Sequence, residues 1–377
     1  MKRANLTVLV IGLLCATEAR TQPQQAPTID DIAAKWKQRQ DAIKTFRIAW
    51  TQTVLYPKGG YSEGYPTSAG KGELVPTANT TFTEKGLLIV DAEKARYEFE
   101  GHAYAPHKKQ FVDDSFQALY DGKTGASLRE SGEAGVAIVN KQSGRRPLRL
   151  TTVDNVPILR AFRPQSAELG SPDLDVFQVS GRTENINSVA CIELTLRKPA
   201  PGVSTSLWLS PSQDYHICRY HQVLATGDIS LIQYDATYKH DGEHWVPSSW
   251  THVRKSRRGQ LVKSTTSVVT ECVIGSPVSP ATFDTTPPNN SRVNEYNKDD
   301  SLVGKYIIRP DGSRRKVVRG EESVPFASLV STEPGEPIGK PVNSWFSRNW
   351  IVVVGVSVFV LGLVGVLFRR NLQRPVS

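Results

Sequence analysis

The chain has 377 residues, a net charge of +9 at pH 7 and 39% hydrophobic residues. This length is enough to bury a sizeable core, and the mild positive charge gives no reason to expect a nucleic-acid partner. The four cysteines include no CxxC pair, which excludes a zinc ribbon, a CxxC redox motif and a fold that depends on a disulfide framework.

A short apolar stretch, Leu6–Ala16, follows Lys2 and Arg3 near the start of the chain. It is too short to cross a bilayer, which needs roughly 20 helical residues. A basic start, an apolar centre and small residues after it are typical of a secretory signal peptide, and we expect cleavage near Arg20. Lipidation at Cys15 and a buried helix in a soluble protein are the alternatives.

The first folded element is predicted to be a helix that begins at Thr28. Asp31, three residues further on, completes a capping box. Apolar residues recur at helical spacing and mark one face of the helix. They are Ile29, Ile32, Ala33, Trp36 and Ile43.

Strand patterns follow from Phe46, where Phe46, Ile48 and Trp50 lie at every second position. Further strands are predicted at Thr80–Val90, Ala95–Glu100, Ser115–Tyr120, Gly135–Asn140, Leu174–Ser180, Val189–Arg197, Ser204–Leu209, Tyr215–Leu224, Ile229–Lys239, His244–Arg254 and Leu261–Ile274. Asp121-Gly122 and Asp241-Gly242 predict hairpin turns. A second, short helix is predicted around Val156 to Phe162.

The predicted fold class is mainly β (α+β): a curved antiparallel sheet or half-open β-barrel with the N-terminal helix packed on it. Runs such as Leu87–Val90 and Leu207–Leu209 carry apolar residues on both faces. A sheet with one wet face alternates more cleanly, so a second layer must cover these strands. The helix from Ile29 to Ile43 is the expected cover.

The C-terminal part ends in an apolar stretch of 19 residues, Trp350–Phe368, followed by Arg369 and Arg370. At 1.5 Å per residue it reaches about 28 Å, so we expect one transmembrane helix with a cytoplasmic tail. A sorting tail removed after export is the alternative. The predicted segments are 1–19 signal peptide, 20–27 flexible leader, 28–276 half-barrel domain, 277–320 small hairpin extension, 321–344 spacer, 350–368 transmembrane helix and 369–377 cytoplasmic tail.

The central part resembles the periplasmic lipoprotein carriers of the LolA and LolB type and the amino-terminal domain of RseB-type regulators. The resemblance covers about Thr28 to Ile274. It lies in the segments Ile32–Arg39, Phe46–Gln52, Leu87–Gly101, Ala118–Thr124 and Leu207–Tyr220. Ser210 stands where aspartate is common in the corner of that group, so the match is partial.

The resemblance implies a half-open barrel with a helical lid and an apolar cavity for acyl chains or a lipoprotein's lipid. The cavity residues expected on this basis are Ile29, Ile32, Trp36, Ile43, Trp50, Leu88 and Trp208. We therefore expect a non-enzymatic, membrane-anchored extracytoplasmic protein that binds or senses an acyl chain or hydrophobic peptide. It needs no cofactor, and its partners are the membrane and, as an open option, a lipoprotein or membrane protein.

The sequence contains no catalytic motif of the GxSxG or HExxH type. His240, Glu243 and His244 flank one predicted turn, but zinc needs three or four ligands in tight geometry, and we expect no metal site there. Two alternatives remain open. One is an exported hydrolase with an unrecognised site, and the other is an envelope-assembly protein whose barrel is filled and binds no small ligand.

Overall fold

The computed structural model describes residues 27–59, 76–105, 110–130, 136–143, 156–164, 174–224, 229–299 and 301–331. The predicted signal peptide, transmembrane helix and cytoplasmic tail lie outside these ranges. Within them, no helix combines the length and the apolar character needed to cross a bilayer.

The described residues form three α-helices and sixteen strands. The helices are α1 (Ile29–Ala42), α2 (Val156–Phe162) and α3 (Phe326–Ser331). The strands are β1 (Thr45–Tyr56), β2 (Thr80–Asp91), β3 (Lys94–Ala105), β4 (Gln110–Tyr120), β5 (Thr124–Glu130), β6 (Ala137–Ser143), β7 (Phe177–Ile186), β8 (Val189–Leu196), β9 (Val203–Ser210), β10 (His216–Leu224), β11 (Ile229–Asp241), β12 (His244–Ser256), β13 (Leu261–Ile274), β14 (Ser291–Tyr296), β15 (Leu302–Ile308) and β16 (Arg314–Lys316).

All sixteen strands belong to one curved sheet that does not close on itself. Their order is β16-β15-β14-β6-β5-β4-β3-β2-β1-β13-β12-β11-β10-β9-β8-β7. Neighbouring strands are antiparallel except β14 and β6, which run parallel. The prediction of a mainly β chain with a curved sheet is confirmed. Because β1 pairs with β13, the two ends of the long β region meet in the middle of the sheet.

The predicted hairpin turns are confirmed, and their sequences explain them. Gly122 connects β4 to β5 with φ +97° and Gly242 connects β11 to β12 with φ +59°, a region that glycine adopts without a steric penalty. The Asp121 carboxylate accepts backbone N–H groups from Lys123 and Thr124, both at 2.7 Å. These local contacts set the chain reversal without help from the core.

Helix α1 begins as predicted, because the Thr28 side chain and the Asp31 carboxylate cap each other's backbone N–H groups. Its apolar face packs on β7 to β11. The buried cluster there, the α1 cluster, contains Ile32, Trp36, Leu174, Phe177, Leu194, Leu207, Leu209, Ile217 and Tyr234. Trp36 also donates a hydrogen bond from Nε1 to the Tyr215 carbonyl at 2.8 Å.

Helix α2, also predicted, covers a second region on the same face of the sheet. Its Ile158, Ala161 and Phe162 belong to a separate buried cluster, the α2 cluster, together with side chains of β1, β2, β3, β4, β11 and β12. The Phe162 ring stacks on Phe46 with centroids 4.4 Å apart. The helix expected as the cover, α1, therefore shares this face of the sheet with α2. We call this face the helix face and the opposite one the outer face.

The C-terminal strands extend the sheet beyond the predicted hairpin. The β15–β16 hairpin is confirmed, with Gly312 at φ +83° in its turn. Strand β14 and its pairing with β6 were not predicted. Residues 321–331, expected as the start of a spacer, instead contribute Val324, Phe326 and Leu329 to a buried cluster with Ile307. The folded part of the chain therefore continues further than the composition suggests.

Candidate binding site on the helix face

A layer of polar side chains lies buried on the helix face, directly beyond the α2 cluster. Along β1 the inward positions are apolar through Trp50 and turn polar at Gln52. The neighbouring strands change at the same level. The polar layer consists of Gln52, Glu84, His252, Thr265 and Ser267, all at most 2% exposed.

Hydrogen bonds organise this polar layer around the Glu84 carboxylate. Gln52 Nε2 donates to Glu84 Oε2 at 2.7 Å, and the His102 backbone N–H donates to Oε1 at 3.1 Å. Trp50 Nε1 donates to Gln52 Oε1 at 3.3 Å and so ties the layer to the apolar core. A buried carboxylate is costly unless such donors surround it, and this network provides them.

Two cationic side chains lie next to the polar layer. Arg254 and Lys263 are register partners on β12 and β13, and they are 8% and 7% exposed. Burial lowers the pKa of Arg254 to about 10, so it stays charged at neutral pH. The Lys263 Nζ lies 5.5 Å from the centroid of the Tyr56 ring, within range of a cation–π interaction.

Aromatic rings border this region on β1 to β4. They form a group that we call the aromatic rim: Tyr56, Phe82, His102 and Phe111. Phe82 stacks on His102 with centroids 4.0 Å apart, and Phe111 lies 4.9 Å from Tyr56. Tyr56 is buried, whereas the other three rings are half-buried. The rim therefore presents aromatic surface beside the buried cations.

The arrangement combines two positive charges, polar groups and aromatic surface within one face of a curved sheet. A cation at low exposure interacts more strongly with an anion than a surface lysine does, because less solvent screens it. Aromatic rings add area for apolar contact. This combination suits a ligand that carries an acidic head group on an apolar body. Arg254 and Lys263 also interact with other parts of the chain, and a ligand would join or exchange with those interactions.

The structure distributes the seven residues predicted from the sequence over three clusters. Ile32 and Trp36 lie in the α1 cluster, with Ile29 at its margin. Ile43, Trp50 and Leu88 lie together in the α2 cluster. Trp208 lies on the outer face, in a small cluster with Cys191 and Cys218. All except the partly buried Ile29 are packed among the protein's own side chains.

The sequence reasoning missed Gln52, Glu84, His252, Arg254 and Lys263. For Gln52 the sequence did contain a signal. Gln52 follows Trp50 by two positions, so both side chains face the same side of β1. His240, Glu243 and His244 lie at the exposed or half-exposed β11–β12 turn. Within the described ranges, no group of three or more His, Cys, Asp or Glu residues is arranged to hold a metal ion.

The outer face carries a second site, a groove of about 270 Å³ over β7 to β11. Its lining includes Arg182, Glu193, Trp208, Arg219, His221 and Gln233. Arg182 pairs with Glu193 at 3.4 Å, and Arg219 pairs with Asp235 at 2.6 Å. Burial and the nearby Arg219 lower the pKa of His221, so its ring is neutral at pH 7. The groove is polar, and its described cations are already paired with carboxylates.

A buried histidine lies beneath α1 and makes folding sensitive to acid. His216 is fully buried, and its Nδ1 donates to the Gln213 carbonyl. Arg39 from α1 reaches the same pocket and donates to the Asp214 carbonyl at 2.8 Å. Burial, and then the Arg39 charge, hold the pKa of His216 well below its usual value. His216 is therefore neutral in the folded protein, even in mild acid.

We expect the protein to lose stability as the pH falls below about 6.5, where an unfolded histidine takes up a proton but folded His216 does not. The loss from this residue approaches about 2 kcal/mol at pH 5. Urea unfolding at pH 7.5, 6.5, 5.5 and 5.0 measures it. His216→Gln should flatten the profile, and His240→Gln, at the exposed turn, should leave it unchanged. Parallel profiles for wild type and His216→Gln would contradict the prediction.

Comparisons with known proteins do not assign a family. No protein-family model and no curated protein matches the chain. Among solved structures, one of PNGF-II in space group P21 aligns with a TM-score of 0.24 and 8% identity. The alignment covers 67% of this chain and 32% of that chain, so this chain spans about a third of the length of PNGF-II. A TM-score this low carries no argument about fold or activity.

Proposed function

We propose that this protein is a non-enzymatic, extracytoplasmic binding or sensing protein for an amphiphile with an anionic head group. The observation that carries the proposal is the pair Arg254 and Lys263, buried side by side at the border between the polar layer and the aromatic rim. Long acyl chains with a free carboxylate are the ligand class that this surface favours.

The architecture supports this proposal at the level of shape. One curved, open sheet carries two helices on a single face. We take this arrangement as a half-open barrel of the lipoprotein-carrier kind, with the helix face as its interior. In such a barrel a ligand binds largely by burying apolar area, at about 25 cal/mol per Å², and polar groups set its orientation.

The positive charges of Arg254 and Lys263 favour an anionic ligand over a neutral one. An apolar peptide or a neutral lipid would leave Arg254 and Lys263 without an added counter-charge, whereas a carboxylate or phosphate would accept hydrogen bonds from both. The sequence also predicts a signal peptide and a transmembrane segment at Trp350–Phe368. A tether of this kind suits a stationary sensor or acceptor at the membrane surface better than a diffusing carrier.

The test is binding of a fluorescent fatty acid to a protein spanning residues 27–331, which includes every described helix and strand. We expect micromolar uptake, and about tenfold weaker binding after Arg254→Gln or Lys263→Gln, because each removes a charge-assisted hydrogen bond. Arg258→Gln, at the exposed β12–β13 turn, is the matched control and should bind as wild type. The corresponding fatty alcohol should bind wild type more weakly than the fatty acid does. Because it carries no charge, it should bind wild type and the three variants with equal affinity. Folded protein without uptake would refute the proposal.

A second candidate is an envelope-assembly protein that binds no small ligand. It is favoured by the α2 cluster, in which Phe162 stacks on Phe46 and fills part of the helix face with the protein's own side chains. Absence of fatty-acid uptake by the folded protein, combined with capture of an envelope protein by cross-linking through Phe82 or Phe111 positions, would favour this candidate.

A further inference from the structure

Two of the cysteines meet on the outer face of the sheet. Cys191 on β8 and Cys218 on β10 are 1% and 2% exposed and share a cluster with Ile186 and Trp208. The two thiols are close enough to influence each other, since Cys218 lowers the pKa of Cys191 and Cys191 raises the pKa of Cys218. The Cys191 S–H group donates to the Val189 carbonyl at 3.4 Å, and Cys218 Sγ lies 3.7 Å from Gln213 Oε1. Both are free thiols in the structure, as is Cys272, which lies on β13 beside the α2 cluster.

The contact is unusual because β9 separates the two strands. In a regular sheet, strands two positions apart lie nearly 10 Å from each other, beyond the Cα separation of a disulfide. Here β10 has a bulge between Ile217 and Arg219, so Cys218 is the extra residue without a partner on β9. Cys191 lies just beyond Ile192, the last residue of β8 that pairs with β9. At this end of the ladder, the bulge places Cys218 in the same buried cluster of the outer face as Cys191.

We propose that Cys191 and Cys218 form a disulfide bond in the exported protein and leave Cys272 as a free thiol. The bond rests on the extracytoplasmic location put forward above, because disulfides persist in oxidising compartments and are rare in the cytosol. No ligand of the helix face is needed for it.

The chemistry is thiol–disulfide exchange with a protein or small-molecule disulfide as oxidant. The Cys191 thiolate attacks the oxidant and forms a mixed disulfide, and one oxidant thiol leaves. The Cys218 thiolate then attacks the Cys191 sulfur and releases the second oxidant thiol, so the oxidant gains the two electrons and two protons. The neighbouring Cys218 thiol lowers the pKa of Cys191, which favours Cys191 as the first nucleophile. Because both thiols are buried, exchange takes place during folding or local opening.

The bond would close a loop of 26 residues, 192–217, that contains β9 and the turn into β10. This loop contributes Leu207, Leu209 and Ile217 to the α1 cluster. It also contains Trp208, which lines the groove of the outer face. Oxidation would therefore brace both the surface that holds α1 and the floor of the groove.

The experiment compares the full chain purified from an exporting host with the same chain reduced and then equilibrated with oxidised and reduced glutathione. Free thiols are alkylated in denaturant, and peptides are mapped by mass spectrometry without reduction. We expect a linked peptide pair containing Cys191 and Cys218, with Cys272 alkylated, in both samples. Cys272→Ser should keep the linked pair, and Cys191→Ser should abolish it.

The outcomes separate this inference from the proposed location. If the linked peptide pair forms in the glutathione sample but the exported sample has free thiols, the thiols are placed to form a disulfide but the proposed oxidising location is wrong. That result would overturn the disulfide as a feature of the native protein. Free thiols in both samples would show that Cys191 and Cys218 are not placed to form a disulfide. If the bond forms, a reducing agent should lower the Tm of wild type by about 5–10 °C and leave that of Cys191→Ser unchanged. Equal sensitivity of both proteins to reduction would also overturn the inference.

Discussion

Gly86→Ala is expected to destabilise the protein by about 3 kcal/mol, although it adds a single methyl group. Gly86 lies on β2 directly opposite Trp50 of β1. A Cβ at this position would lie 2.0 Å from Cζ2 of the Trp50 ring, far inside van der Waals contact. The ring is fully buried beside Tyr97 and Trp250, with centroids 6.1 and 5.9 Å away, so it has no free space to move into.

Urea unfolding of Gly86→Ala measures this effect, and Gly304→Ala is the matched control. Gly304 also lies in a strand, β15, but a Cβ there meets no atom within 4 Å. It should be neutral or slightly stabilising, because alanine has less backbone freedom in the unfolded chain. Trp50→Leu in the Gly86→Ala background should cost less than the sum of the two single changes, since the smaller side chain relieves the clash. Additive losses would show that the Trp50 ring is not the obstacle.

The elements that the sequence predicted well are those specified by local chemistry. The capping box at Thr28 and Asp31, the Asp-Gly turns and the two-residue alternation from Phe46 each depend on residues within a few positions of one another. Such features are visible in a single sequence. The predicted helix around Val156 to Phe162 also belongs to this group.

The features that were missed depend on contacts between distant parts of the chain. The parallel pairing of β14 with β6 joins residues that are about 150 positions apart, and β14 itself is short and polar. The position of α1 over β7 to β11, rather than over the strand that follows it, depends on how Trp36 and Ile32 fit against Leu194 and Leu207. Periodicity shows that a helix has an apolar face but not which strands that face contacts.

The same limit explains the difference between the predicted apolar site and the polar layer. Alternation places Gln52 on the same side of β1 as Trp50, yet it does not tell whether that end of the strand is exposed or covered. In the structure the inward position after Trp50, Gln52, is buried and polar, and it joins buried polar side chains and cations of β12 and β13, strands some 200 residues away. The predicted Trp208 lies on the outer face because Leu207 and Leu209 already face α1.

Trp36→Ala is expected to cost about 4 kcal/mol of stability and to loosen α1 from the sheet. Trp36 is fully buried in the α1 cluster, and truncation of such a side chain typically costs 3–5 kcal/mol. The change also leaves the Tyr215 carbonyl without the Nε1 donor at 2.8 Å. Urea unfolding gives the free energy, and amide hydrogen exchange along α1 reports whether the helix opens before the sheet.

The matched control for this change is Lys37→Ala, the next residue on the same helix. Lys37 is exposed and pairs with the exposed Asp41 across one turn, so we expect a loss below about 0.5 kcal/mol. Trp36→Phe should fall between the two, because it keeps most of the apolar contact and loses the hydrogen bond. If Trp36→Ala unfolds like Lys37→Ala, α1 does not contribute to the core of the folded protein, and the helix face of the sheet must be covered by another part of the chain.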